Sequence, residues 1–413
     1  MFEKTNEPKV LRDPVHGYIH VEYAVIWKLI GSHWFQRLRR IRQLGGACMV
    51  YHCAEHTRFS HSLGVYEIVR RMVSEVQDIS DALTEREKVT VMAAGLLHDL
   101  GHGPYSHAFE EISRTNHELY TVRIIEKDPE IRSILESAGK GLSKDVADVI
   151  RHKSENPLLS QLISSQLDAD RMDYLLRDAY FTGTKYGEFD MERILRTLRV
   201  VDGKLVVKQS GVYAVENYIM ARYHMYWQVY YHPVARSHEA VLHTFFHRLK
   251  DIGDAEDPMI IDVLKPLIGK KKLTLEQYYA LDEHSITYGF EVLTRHRDPV
   301  LRDLAHRILD RDLFEYTDMS ARNLRSVKQA LLEQGLDPKY YLMKDEVKQS
   351  PYVPYGGQTG SIFVKMKDGS IRELSNASNI VFSLIHGPSK DEKKIFYPAV
   401  INLRRKPTCL RVG

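Results

Sequence analysis

The stretch Ala93–His107, AAGLLHDLGHGPYSH, sets the tightest constraint on how this chain folds. A Thr84/Glu87 capping box starts a helix whose apolar positions run through Val89, Ala93, Leu96 and Leu97, and Gly101 and Pro104 cannot continue it. His98, Asp99, His102 and His107 therefore fall where the chain leaves the core, so imidazole and carboxylate donors meet a cleft. A lone histidine is most often structural, but the adjacent His98-Asp99 pair, with HTRFSHS upstream and LDADRMDYLLRD downstream, forms a donor set without thiolates. Such a set suits a borderline or hard divalent ion (manganese, iron, nickel, zinc or magnesium) with positions left open for water or phosphate oxygens.

The rest of the chain reads as mainly α. Leu63, Val65, Val69, Met72, Val73 and Val76 form a helical stripe after His61, and further helices are expected over 115–127, 158–180, 190–199, 212–250 and 274–310. The first 25 or so residues read as turns and an extended arm, broken by Pro8 and RDPVHG, before a helix near Val25. Past Pro338 the segment YVPYGGQTGSIFVKMKDGSIREL alternates around a Lys-Asp-Gly turn, the mark of a hairpin in a small C-terminal α+β lobe. The expected division is an arm with the first helix at 1–50, a helical body at 51–325 and the lobe at 326–413. Lys and Arg number 58 against 55 Asp and Glu, so no basic field points to nucleic acid as the main partner, although Arg37–Arg42 and Lys270–Lys272 are local basic clusters. Three scattered cysteines make neither a disulfide framework nor a thiolate zinc site, and no uncharged run nears the ~20 residues of a membrane span. A cytoplasmic location is expected.

The ordered pieces RDPVHGYI, WFQRLRRIRQLGG, RFSHSLGV, GLLHDLGHGPYSHAFE, the His117-Glu118 pair and DADRMDYLLRD resemble the HD-domain phosphohydrolase superfamily. Within it the chain is similar to the deoxynucleoside triphosphate (dNTP) triphosphohydrolases, including those in which a sterile alpha motif precedes the HD domain. The resemblance implies an HD-domain helical fold and a metal-dependent release of deoxynucleoside and triphosphate from dNTPs, with magnesium accompanying the substrate triphosphate. It implies His61, His98, Asp99 and Asp170 as metal ligands. Asp168 is the local competitor, but Tyr174, Arg177 and Asp178 follow Asp170 at i+4, i+7 and i+8, a face Asp168 does not share.

By the same resemblance His107 is the candidate general acid, Glu110 and His117 orient it, and His102 lies against the phosphates. Arg58 and Arg171 match the triphosphate-holding cations, Arg171 standing where the relatives with the sterile alpha motif have lysine. Gln43, Leu44 and Asp178 match residues around the sugar, and Tyr174 lines the same pocket. The aromatic run NYIMARYHMYWQVYYHPVAR is read as packing, with one or two rings touching the base. Val10, Gln36 and Arg39 match nucleotide-effector residues between subunits, implying a homo-oligomer, dimer or tetramer. Rival readings are an HD enzyme acting on nucleoside monophosphates or an alarmone, and a nucleotide-sensing or nucleic-acid-binding HD protein.

Two positions depart from the family pattern: Gly31 stands in place of an aspartate that accepts from a guanine edge, and Arg12 in place of an asparagine. A charged hydrogen bond of this kind is worth about 1.5–3 kcal/mol, so guanine selectivity of any activation is expected to be relaxed. Gly31→Asp is expected to shift activation of dATP turnover toward guanine nucleotides, measured with GTP, dGTP and ATP in turn. A wild-type enzyme activated by guanine nucleotides alone would contradict this reading.

Overall fold

Caps and apolar stripes build the body as the sequence requires. Thr84 and Glu87 form the expected capping box, and the Glu85–Leu97 helix buries Val89, Ala93, Leu96 and Leu97. It packs against the Arg58–Glu75 helix, which the Ala169–Thr182 helix also contacts. In this computed structural model residues 2–400 are described, apart from 114, 270–271, 350–351, 353–359 and 388–389 and the side chains of 107, 111–112, 348–349 and 390. Parts of the expected C-terminal hairpin segment, part of the Lys270–Lys272 cluster and Cys409 thus lie outside the described residues. The fold is mainly α and of the HD type. Among the described residues no helix is long and apolar enough to cross a membrane.

Several long helices expected from periodicity are broken, most of them where a capping residue or proline interrupts an otherwise apolar stripe. The 158–180 stretch divides into Pro157–Ile163 and Ala169–Thr182, because the Asp168 side chain accepts from the Arg171 N–H and starts the second helix afresh. The 190–199 stretch ends as a helix at Thr197 and continues as strand Leu198–Val201. The 212–250 stretch runs as Val212–Met225, passes through a wider helical turn at Tyr226–Tyr230, and restarts at Pro233–Ile252 behind a His232 cap. Asp282 and Asp298 likewise cut 274–310 into Leu275–Ala280, Glu283–Leu293 and Pro299–Leu309. Periodicity alone cannot register such breaks, since the apolar face resumes on the far side of each cap.

The N-terminal arm is an antiparallel hairpin, Lys4–Asp13 against Gly17–Tyr23. Asp13 closes its turn by accepting from the Val15 and His16 N–H groups, and Gly17 takes the left-handed conformation (φ +74°) that relieves the turn. Tyr66 donates to the His20 carbonyl, fastening the hairpin to the Arg58–Glu75 helix. Near the C-terminus Phe363–Lys365 and Ile371–Glu373 pair as the expected hairpin. Phe363–Lys365 also runs parallel to Lys204–Lys208, completing a four-stranded sheet with Leu198–Val201. A second sheet joins Glu315–Asp318, Lys390–Tyr397 and Met343–Gln349, so strands beyond residue 325 pair with segments before it.

Gly64 permits a close approach of the Arg58–Glu75 and Ala169–Thr182 helices. A Cβ there would lie 1.8 Å from Asp173 Oδ1 and 2.5 Å from Arg177 Nη2. Gly64→Ala is expected to force these two helices apart and cost about 1–3 kcal/mol, read as a lower urea midpoint. A variant with the wild-type midpoint would show that this contact yields freely.

Candidate active site

Three helices bring the expected ligands together. His61 lies in the first turn of Arg58–Glu75, His98 caps the end of Glu85–Leu97 and Asp170 opens Ala169–Thr182. His61 Nδ1 donates to Asp173 Oδ2 at 2.8 Å, which leaves Nε2 facing Asp170 Oδ1 at 3.1 Å and Asp99 Oδ2 at 3.7 Å. His98 Nδ1 donates to the Gly95 carbonyl at 2.8 Å, and its buried Nε2 makes no hydrogen bond. That Nε2 stands 3.3 Å from Asp99 Oδ1 and 3.7 Å from Asp170 Oδ1. Both rings are thus anchored through Nδ1 and turn Nε2 inward, as metal-ligating imidazoles do.

These atoms fit a divalent ion. Metal bonds of about 2.1 Å at right angles separate neighbouring ligand atoms by about 3 Å, close to the spacings seen here. His61, His98 and Asp99 each offer an atom within 4.8 Å of the others. The electrostatics point the same way. Burial opposes a charge on His61, yet Asp170, Asp173 and Asp99 outweigh it and push the imidazole up to about 10. Burial would raise the Asp99 and Asp170 carboxyls, but His98, Arg58 and His61 hold the first well below the ordinary range, and His61 and His98 the second. Without an ion, a proton on His61 takes the place of a cation among crowded carboxylates.

Asp168 is directed elsewhere: it accepts from the Arg171 N–H at 2.7 Å and the Ser165 N–H at 2.6 Å, and burial pushes its carboxyl up to about 6. Asp173 is the residue that sequence reasoning missed. It receives His61, His16 Nε2 at 2.6 Å and a two-pronged Arg177 contact at 2.9 Å, while Arg177 also reaches Asp13 at 2.8 Å. The i, i+4 spacing of Asp173 and Arg177 was its available signal, but nothing local ties either to His16 or Asp13.

A cavity of about 600 Å³ opens from this centre, with Arg58, His98, Asp99 and Asp170 in its wall. Arg58 donates to Asp99 at 2.5 Å and to Ser106 at 2.7 Å. His102 stacks on His117 with 3.9 Å between ring centroids and lies 3.4 Å from Asp99, while His117 Nδ1 meets Glu110 at 2.7 Å. His107 begins the His107–Ser113 helix, and its side chain lies outside the described residues. Gln43, Leu44, Tyr174 and Asp178 line the same cavity. Gln43 Oε1 is buried without a hydrogen bond, and Asp178 is held by His56 at 2.7 Å and by the Tyr230 hydroxyl at 2.8 Å. Tyr226, Tyr230 and Tyr231 add aromatic wall, which locates part of the aromatic run at the cavity rather than wholly in the core.

Arg171 is not brought into that wall. Its guanidinium donates to the Ser165 carbonyl and lies 3.6 Å from Asp168. Gln36 and Arg39 are joined to each other at 2.9 Å, Arg39 lying 3.5 Å over the Phe59 ring, whereas Val10 is exposed on the hairpin. A Cβ on Gly31 would meet nothing within 4 Å, so the backbone there leaves room for a side chain to start.

The comparisons with known proteins agree with this construction. Residues 58–178 match the HD domain and residues 189–336 match the HD associated region. The chain is 46% identical over 407 residues to the Bacillus subtilis protein YwfO, covering 96% of this chain and 93% of that one. It is 26% identical over 396 residues to the Dictyostelium discoideum deoxynucleoside triphosphate triphosphohydrolase SAMHD1 homolog, covering 89% of this chain and 75% of the relative. A crystal structure of a phosphohydrolase from Bacteroides thetaiotaomicron superposes with a TM-score of 0.83 at 29% identity, covering 95% of this chain and all of that one. The chain belongs to the HD-domain family, as an HD-superfamily phosphohydrolase carrying the HD associated region, and its cofactor is a divalent metal held by histidine and aspartate.

Asp170→Ala is expected to remove most bound metal, measured by elemental analysis of the folded protein. Asp173→Asn leaves every proposed ligand in place but loosens His61, and is expected to weaken metal affinity by about 10–100-fold. Normal metal content in both would place the centre elsewhere.

Proposed function

We propose that this chain is a dNTP triphosphohydrolase that releases deoxynucleoside and intact triphosphate. The observation that supports it best is a single cavity that joins the His98, Asp99 and Asp170 wall to Gln43, Leu44, Tyr174 and Asp178. Relatives whose names carry dNTP triphosphohydrolase activity lend further support.

His61, His98, Asp99 and Asp170 would hold manganese, iron, nickel or zinc, and a bound ion supplies an acidic water and neutralises phosphate charge. Arg58, already buried against Asp99, adds a fixed cation beside the phosphates. His102 flanks them, and the Glu110–His117 pair stands ready to orient His107, our candidate proton donor to the leaving 5′-oxygen. Arg171 would have to leave the Ser165 carbonyl to reach a phosphate. Asp178 and Gln43 carry acceptors suited to a 3′-hydroxyl, and apolar Leu44 gives a 2′-hydroxyl no partner. We also propose that Gln36, Arg39 and Val10 contribute to a nucleotide-effector site in a homo-oligomer, dimer or tetramer, and that magnesium accompanies the substrate.

The test is incubation of each dNTP with the purified protein and manganese, followed by separation of triphosphate, pyrophosphate and phosphate. Triphosphate is the expected product; another leaving group would indicate a different HD chemistry. An unpaired buried hydroxyl costs about 1–3 kcal/mol, so ATP is expected to be hydrolysed much more slowly than dATP, and Leu44→Ala to narrow the difference. Equal rates on dATP and ATP in the wild type would remove Leu44 from this role.

A further inference from the structure

A second cavity, of about 730 Å³, adjoins the first, and His152, Ser160 and Ser164 line both. Its chemistry is one-sided. Arg151, His152, Lys153 and Lys204 stand in its wall among serine and glutamine side chains, and none of the described residues that line it is acidic. Arg151 is already paired with Glu126 at 2.6 Å, so Lys153 and Lys204 are the cationic groups left to a ligand, with the His152 imidazole beside them as a hydrogen-bonding group. The first cavity, by contrast, is rich in carboxylates, Asp99, Asp170 and Asp178 among them.

The partition between the cavities is built from the chain just before the Asp170 helix. Ser164 faces both cavities, while Ser165 and Gln166 line the second. Behind that partition Arg171 donates to the Ser165 carbonyl, and Arg222 donates to Gln166 Oε1 at 3.0 Å. Two arginines thus hold the segment that separates the cavities, Arg171 through the Ser165 backbone and Arg222 through the Gln166 side chain. His152, on the shared wall, has φ +56°, a left-handed conformation that non-glycine residues seldom adopt and that often marks a functional position.

We propose that the second cavity receives inorganic triphosphate as it leaves the first. This rests on the proposed dNTP hydrolysis, which yields a neutral nucleoside and a polyanion. Leu167, Leu205 and Phe363 add apolar wall, but it is the polyanion that gains from the ammonium, imidazole and hydroxyl donors with no carboxylate among the described lining residues. On this reading the triphosphate does not have to pass back across Asp99 and Asp178.

The test is calorimetric titration of inorganic tripolyphosphate at low salt into the full chain loaded with one equivalent of manganese. The Lys153→Glu/Lys204→Glu double variant, altered at exposed side chains, is compared with Arg58→Ala, altered in the first cavity. The double variant is expected to lose about tenfold in affinity, the effect of reversing two charges near a screened surface, and Arg58→Ala less. Thermal unfolding by circular dichroism checks that the double variant is folded. Unchanged affinity in the folded double variant, or a larger loss in Arg58→Ala, overturns the proposal. So does a non-hydrolysable dNTP that binds more tightly than tripolyphosphate in a manner sensitive to the double variant, because the cavity is then a nucleotide site. Tripolyphosphate binding here without triphosphate release from any dNTP would instead contradict the proposed function, and the release role with it.

Discussion

The Asp173 carboxylate is the contact on which the metal centre and the surrounding packing both depend. A fully buried charge is tolerated only when its neighbours satisfy it, and Asp173 is satisfied from three directions: His61 from one helix, Arg177 from its own, and His16 from the N-terminal hairpin. Desolvation works against its ionisation, but Arg177, His16 and His61 hold the carboxyl well below the ordinary range. Arg177 in turn is shared with Asp13, so the hairpin is tied to the catalytic helices through charge as well as through buried Ile19 and Val21. The orientation of His61, and with it the direction of its Nε2, is thus set by a network assembled from distant parts of the chain.

The same logic organises the cavity. Asp178, two turns along the helix from Asp170, is oriented by His56 and Tyr230, and the Tyr226–Tyr230 segment leaves regular α-helical geometry where it meets the wall. Wider helical turns recur at functional sites because they redirect side chains without ending the helix. Here the turn supplies both a partner for Asp178 and an aromatic surface close to Tyr174, whose ring lies 6.0 Å from that of Tyr230. Charge differs between the two cavities: Asp99, Asp170 and Asp178 line the first, and Arg151, Lys153 and Lys204 line the second.

How far the site was legible follows from how local each signal is. The Thr84/Glu87 box and the breakers Gly101 and Pro104 act within a few residues, so they located the end of the helix that carries His98 and Asp99. Register on one helical face likewise separated Asp170 from Asp168, and Asp168 is a helix cap. The broken helices were not legible, because Asp168, Asp282 and Asp298 act as caps only where the backbone actually turns. The direction of Arg171 was not legible either. A cation next to a carboxylate is equally compatible with a phosphate or with the Ser165 carbonyl.

The residue sequence by itself determined the mainly α character, the helix ends that carry the ligand candidates, and the donor chemistry that calls for a divalent ion, because all three depend on short-range periodicity, capping and side-chain type. Only the tertiary structure decided that Asp173 rather than a nearer acid orients His61, that Gly64 must be small to admit it, and that the N-terminal arm is a hairpin bound into the same charge network. It also decided that strands beyond residue 325 close sheets begun at 198–208 and 315–318. These are contacts between residues far apart in the chain, formed when buried charges must find partners and strand edges must be paired, and no local pattern encodes which distant residue will answer.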